Sequence, residues 1–308
     1  MCGTPEGAGA RVGCVYGSQA AARRCRGGSI VAGGMSVAVI TATRCQDELA
    51  DAINSVAGQT YKNIKHYVVG DGAVSEATFQ LCALANQLPN QYWIYWPTAI
   101  KRPLINASRI YAAVPSLINE DIIILLNEDD WFAPNHVETL VGALEKNHWD
   151  WAFSHRNIYD KEGNFLCEDK CESLGEDHDV WNLPGHRFVE TCSIAMRTDC
   201  FVTCAPVFNW PSDVNDRVFY DHAKQLYPNF GGTKLPTMCF RLGGNPHSVT
   251  IDYFKQGNAA MKAKYGDIMP WETSPSKTSS KQPQMRSILR RQQSTGTANK
   301  RTSSKRGS

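Results

Sequence analysis

No apolar run in this 308-residue chain approaches the ~18 residues a membrane-spanning helix needs, so no transmembrane segment is expected. No CxxC pair occurs. The eleven cysteines are scattered, and the nearest pairs, Cys167/Cys171 and Cys200/Cys204, have three residues between them. That pattern argues against a zinc ribbon and against a disulfide framework, and it predicts mostly buried or free thiols in a reducing, cytoplasmic setting. No GxGxxG follows the first strand-like run, where Thr41-Ala42-Thr43-Arg44 stands instead, and this excludes a dinucleotide fingerprint. GxxxxGK[ST], GxSxG and HExxH are missing as well. Isolated histidines such as His155, His186 and His222 therefore read as structural or surface residues. There is no internal repeat.

Acidic charge is scarce at both ends. The net charge of +2 divides into +3 for residues 1–34, +8 for residues 272–308 and −9 for the span between. The basic character belongs to the tails, and the presumed folded part is acidic, which argues against a nucleic-acid binder judged on overall charge. Residues 1–34 are rich in Gly, Ala and Arg and lack a secretory apolar stretch. They read as an upstream extension ahead of Met35, in preference to an organelle transit peptide, and as disordered. Residues 272–308, rich in Ser, Thr, Lys, Arg and Gln, read as a disordered basic tail suited to an anionic surface.

Between the tails, strand-like and helix-like segments alternate. Strands are expected at 37–41, 64–69, 92–96 and 122–126. Helices are expected at 47–56, at 75–88 (capped by Ser75, with Phe79, Cys82 and Leu84 inward), at 107–118 (broken by Pro115) and from Pro134 onward. The alternation specifies an α/β fold with a mostly parallel central sheet and flanking helices. After residue 150 the rhythm changes. A hairpin is expected over 151–167, an acidic loop over 168–179, a loop over 181–185 and a short strand at 193–196. A helix at 215–226, a last strand at 239–242 and a helix at 251–265 complete the pattern. One domain is expected over 35–271, with one half at about 36–135 and a smaller β/α half at about 150–265.

The segment DIIILLNEDDWFAPN concentrates the chemistry. Five aliphatic residues, the pattern of a strand buried on both faces, run into Glu128, Asp129 and Asp130. Ligands of parallel sheets bind beyond the carboxyl ends of the strands, and hard carboxylate oxygens there suit Mg²⁺ or Mn²⁺ holding a phosphate. An acidic surface turn is the plain alternative. Asp71, in VVGDGA, would share that rim, unless it only stabilises its own turn. Asp216 opens a helix, where either it or Asp213 could complement the helix dipole.

The order of these motifs resembles the family 2 glycosyltransferases of the GT-A fold over about residues 36–245. Ser55-Val56, Gln59-Thr60-Tyr61 and Asn63 match the segment before the second strand. NEDDWFAPNHVETLV resembles the family's DxDD segment, and WNLPGHRFVETCSIAM and NDRVFYDHAKQLYP resemble the acceptor loop and the helix bearing the base. The resemblance implies inverting transfer from a nucleoside diphosphate sugar, UDP-type, to a hydroxyl acceptor on a glycan, a lipid-linked glycan or a protein glycan. It implies nucleotide contacts from Thr41, Thr43, Asp71, Arg109 and Asp129, a Mn²⁺ or Mg²⁺ ion on Asp130 and Asp129, and Asp216 as general base. Trp181 and Glu190 would meet the acceptor, and Trp181 or Trp210 could stack on sugar. Gly70 and Asn127 replace acidic residues of the family pattern, and Thr43-Arg44 replaces an aromatic-Asn pair. Two enzymes of different kind fit the acidic rim, a sugar transferase and a nucleotidyltransferase of similar fold. A carbohydrate- or nucleotide-binding protein with weakened turnover is the alternative outside enzymes.

Overall fold

The β-branched and aliphatic runs of the first 126 residues become a parallel half-sheet. The structure is a computed structural model and describes residues 34–72, 74–97, 106–209, 215–243 and 249–272. Strand β1 (Val37–Thr43) is buried along its whole length and pairs in parallel with β2 (Ile64–Gly70) on one side and β4 (Ile122–Leu125) on the other. β3 (Gln91–Tyr95) extends this block as its edge. Residues buried on both faces of a sheet have no polar side to alternate with, which is why these strands read as continuous apolar runs.

Helices cover the block where the periodicity placed them. α1 (Leu49–Ala57) buries Leu49, Ala52, Ile53 and Val56. α2 (Glu76–Asn86) is capped by the Ser75 hydroxyl, which accepts the Thr78 N–H. Its inward face is narrower than expected. Phe79 is buried and Cys82 half-buried, but Leu84 is 73% exposed, because the helix covers only the sheet edge. α3 (Asn106–Ala113) gives way at Pro115 to a 3-10 turn (Val114–Leu117), the expected break. α4 (His136–Asn147) starts two residues after Pro134 and buries Val137, Leu140, Val141 and Leu144.

Beyond β4 the sheet becomes mixed. The nine strands run in the order β3-β2-β1-β4-β8-β6-β9-β5, with β7 on the far side of β6. β8 (Ile194–Arg197) lies antiparallel between β4 and β6 (Trp151–Tyr159), and β7 (Phe165–Glu168) closes the hairpin on β6. β9 (Phe230–Arg241) is twelve residues long, not the four expected at 239–242. Its first seven residues include Gly231, Gly232 and Pro236, residues that argue against a strand. The glycines are needed there because a Cβ would collide with Trp149 and Phe153. A two-residue strand β5 (Trp131–Phe132) pairs with β9, and α5 (Thr198–Cys204) follows β8; neither was expected. α6 (Asn215–Leu226) and α7 (Ile251–Tyr265) have the expected limits. On α6 the buried residues are Asn215, Phe219, Tyr220 and Ala223, while Leu226 is exposed.

The acidic stretch of 168–179 is mostly loop, as expected, and Asp169, Glu172 and Ser173 within it are inside the protein. Among the described cysteines, Cys45, Cys82, Cys167, Cys171, Cys192, Cys204 and Cys239 are free, and Cys200 is disulfide-bonded, an exception to the expected free thiols. Among the described residues, no helix is long and apolar enough to cross a membrane.

Candidate active site

β1, β2 and β4 end on one rim, and a cavity of about 240 Å³ opens there. Its walls are Ala42, Thr43, Arg44, Gln46, Asp71, Ala107, Tyr111, Asn127, Glu128 and Asp129. Thr43 pairs with Gly70 across the strands, and the Asp71 N–H donates to the Thr43 carbonyl, so the end of β2 is fixed against the end of β1. Asp71 is 4% exposed, and its Oδ2 accepts from Arg44 Nε at 2.9 Å. Gly72 follows with φ +74°, the left-handed turn that glycine tolerates. Gly70 has a packing reason too, since a Cβ there would lie 2.7 Å from the Phe79 ring. An Asp at this position would expel Phe79, which accounts for the departure from the family pattern.

The turn after β4 distributes its acids to different tasks. Glu128 faces the loop after β1, and its carboxylate accepts from Thr43 Oγ1 (2.7 Å) and from the backbone N–H groups of Arg44 and Gln46. Asp130 is 1% exposed and does not line the cavity. Its oxygens accept from the Arg241 N–H (2.9 Å) and from Asn127 Nδ2 (3.1 Å). Burial and the charge of Asp129 hold the Asp130 carboxyl well above the usual carboxylate range. Asp129 remains on the cavity wall. Burial raises its pKa, and the Arg241 guanidinium pulls against that rise. Asn127 donates to Asp130 and accepts from the Tyr111 hydroxyl at 3.3 Å, two roles that an ionised Asp would not combine. This explains the Asn in place of the family's first Asp.

Several expected contacts move accordingly. Thr41 is wholly buried, with its hydroxyl on His66 Nε2 (2.9 Å), and does not line the cavity; burial holds His66 neutral, with its pKa down to about 3. Thr43 lines the cavity, but its hydroxyl is engaged by Glu128 and by the Cys45 N–H. Arg109 lies on the exposed side of α3, whereas Ala107 and Tyr111, one turn apart, face inward. Asp130, expected as a cation ligand, sits beneath the cavity wall with its carboxylate on the Arg241 N–H and Asn127 Nδ2. Arg241 is the residue that sequence reading missed. It is 6% exposed, donates to the Asp129 carbonyl and to Asp51, and lies over the Trp131 ring at 4.7 Å. Nothing in its surroundings in sequence marks it, because its partners come from segments 80 or more residues away.

Among the described residues, no three His, Cys, Asp or Glu side chains converge to cage an ion. Of the three carboxylates on the cavity wall, Asp71 is paired with Arg44 and Glu128 with the loop after β1, and Asp129 suits Mg²⁺ or Mn²⁺ shared with phosphate oxygens, since such ions are commonly held by one or two carboxylates plus the substrate.

The acids continue into the second half. Glu190 is pushed up to about 7 by burial, and the charge of Asp216 adds to the rise against Arg156. Its Oε2 accepts from Arg156 Nη1 (3.3 Å), and the residue is 8% exposed. Asp216 is half-buried at the start of α6, and burial raises its pKa while Arg217 and Arg156 oppose the rise. Trp181 is half-buried against Gly257 and Tyr253 of α7. Trp210 and Asp213 lie outside the described residues.

Residues 36–201 match the family model described as Glycosyl transferase family 2. Among solved structures, S. aureus TarS 1-349 superposes with a TM-score of 0.51 at 13% identity, covering 67% of this chain and 60% of that one. TarS 1-349 in complex with UDP-GlcNAc gives a TM-score of 0.53 at 13% identity, covering 74% and 65%. The complex with UDP gives 0.52 at 11% identity, covering 75% and 65%. This chain thus spans between 60% and 65% of the length of those chains, and the likeness is one of fold. No curated protein matches. The family match takes in more than half of the chain and both the Asp71 and Asp129 turns. On that match, carried by a mixed α/β sheet of the GT-A kind, the chain belongs to glycosyl transferase family 2.

Proposed function

We propose that the protein transfers a sugar from a nucleoside diphosphate sugar, UDP-type, to a hydroxyl acceptor with inversion at the anomeric carbon. The observation that carries the reading is one cavity, at the carboxyl ends of adjacent parallel strands, walled by both Asp71 and Asp129. Asp71 accepts from the ring N–H of the nucleobase. Asp129 meets the ribose or the diphosphate side. Asp129 would hold a Mg²⁺ or Mn²⁺ ion, which would supply positive charge against the leaving diphosphate. Asp216 removes the acceptor hydroxyl proton, and its raised pKa brings it nearer to the working pH of a general base. The Trp181 edge left uncovered by α7 is the acceptor contact that remains from the sequence reading.

A binding protein with weakened turnover gained its interest from Gly70 and Asn127. Both have packing reasons independent of activity, so neither argues for lost chemistry. The test is turnover of UDP-GlcNAc and other nucleoside diphosphate sugars with Mn²⁺, alongside thermal shifts with UDP. Stabilisation by UDP without release of UDP from any donor would favour the binding protein. Absence of both would sink the reading.

A further inference from the structure

The carboxylate of Asp216 accepts from the backbone N–H of Arg217 at 2.7 Å, and the Arg217 side chain leads away from it into the protein. Arg217 Nη2 donates to Glu172 Oε1 at 3.0 Å, and its guanidinium lies over the Phe188 ring at 4.8 Å. Glu172 Oε2 accepts from Arg156 Nη2 at 2.6 Å, and the Tyr253 hydroxyl of α7 reaches Glu172 Oε1 at 3.4 Å. Arg156, on β6, is wholly buried between the Phe240 and Phe254 rings. Its Nε bonds Asp169 Oδ2 at 2.8 Å and its Nη1 reaches Glu190. Asp169 is fixed in turn by the N–H groups of Cys171, Glu172 and Ser173. The result is a continuous chain of ion pairs from a central strand to the first turn of α6.

Buried ion pairs seldom stabilise a fold more than well-packed apolar residues of similar volume would. Their distinctive property is fixed geometry, because a guanidinium fork admits few arrangements around carboxylates. We propose that Glu172 and Arg217, anchored on Arg156, are positioning residues that hold the Asp216 carboxylate in place and ionised for proton removal. This rests on the reading of Asp216 as the general base. Three charged groups act on that carboxylate through space: Arg217, whose guanidinium is turned to Glu172, Arg156 from β6 and Glu190 from the segment before β8. The two arginines favour the charged carboxylate. Removing Arg217 therefore raises the proton affinity of Asp216 and lets its helix turn move.

The experiment compares wild type with Arg217→Met, Arg217→Lys and Glu172→Gln. Arg217 is 32% exposed, so its replacement is compatible with a folded protein, and melting curves check this. Donor turnover is followed against pH. The Asp216 carboxyl is titrated by ¹³C NMR of Asp-labelled protein, with Asp216→Asn assigning the signal. In Arg217→Met, kcat should fall roughly a hundredfold with donor KM unchanged. The acid limb of the rate profile and the carboxyl titration should both move to higher pH. Arg217→Lys should recover part of each, and Glu172→Gln, which loosens the Arg217 fork but also removes a negative charge, should lower kcat with no upward shift of the carboxyl titration. An unmoved carboxyl titration in Arg217→Met overturns the proposal, as does a rate loss that follows melting temperature alone. A shifted titration in a wild-type background that turns over no nucleoside diphosphate sugar leaves the hold on the carboxylate standing and removes the proposed function instead.

Discussion

The two halves of the sheet use charge in opposite ways. Around β1, β2 and β4 the interior is apolar, and the carboxylates of Asp71, Glu128 and Asp129 sit at strand ends on a cavity wall. Around β6 and α6 the charges are inside, where Arg156, Asp169, Glu172 and Glu190 form a web beneath aromatic rings. A rim acid keeps access to solvent and can exchange it for a ligand. A buried acid has its position and proton affinity set by its neighbours. Recognition of an anionic donor suits the first arrangement, and control of one proton suits the second.

The comparison predicts different consequences for similar substitutions. The largest effect is expected from Asp216→Asn, with turnover falling by roughly 10²–10⁴-fold, the usual worth of a general base. UDP affinity should stay unchanged, and a loss of binding would break the division between the halves. Next comes Arg156→Met, which leaves three buried carboxylates without their cation. Urea denaturation should show a cost of about 3–5 kcal/mol, the penalty for breaking a buried pair by removing one partner. A smaller effect is expected at the rim. Asp129→Asn should weaken metal-dependent UDP binding by about tenfold or more, which is ~1.4 kcal/mol, while Asp130→Asn should lower stability and spare the affinity. Equal UDP affinity with and without Mn²⁺ in the wild type would refute the ligand assignment.

The smallest effect is read in pH. His66 has a folded pKa of about 3, below its usual 6.5, so the unfolded chain binds the proton first and stability falls as pH drops below about 6.5. Glu190 has a folded pKa of about 7, above its usual 4.5, so between those values acidification favours the folded state. His66→Gln should flatten the acid-side loss of stability by up to about 1.4 kcal/mol per pH unit, and Glu190→Gln should steepen it. Denaturation at pH 5 and 7 measures both, and parallel shifts in the two variants would mean the halves titrate alike.

The sequence made the parallel half legible because its inner strands β1 and β4 are buried on both faces, leaving unbroken apolar runs such as residues 122–126. Helices with an amphipathic stripe, α1 and α4, were equally clear. What stayed hidden depended on distant partners. β9 is assembled over Gly231, Gly232 and Pro236 by the rings of Trp149 and Phe153, and Arg241 takes its partners from Asp51, Asp129 and Lys161. Among site residues, Asp71 and Asp129 reached the cavity as their places at strand ends implied. Thr41 and Arg109 did not, since side-chain direction decides which residues of an element face a ligand. The burial of the acidic loop was not legible either, because its acids are held inside by Arg156, by Arg217 and by backbone N–H groups of the loop itself.

The turn at residues 127–130 has a consequence for engineering. Glu128 latches the loop after β1, Asp130 latches β9 through the Arg241 N–H, and Asn127 ties Tyr111 to Asp130. Asp129 alone is left facing the cavity without such a latch among these bonds. A library aimed at new donors can therefore vary positions 44, 46 and 71 around a constant frame. The same diversity at 128 or 130 would loosen the hinge between the strands that the donor rests on, and variants would be lost to misfolding before their selectivity could be scored.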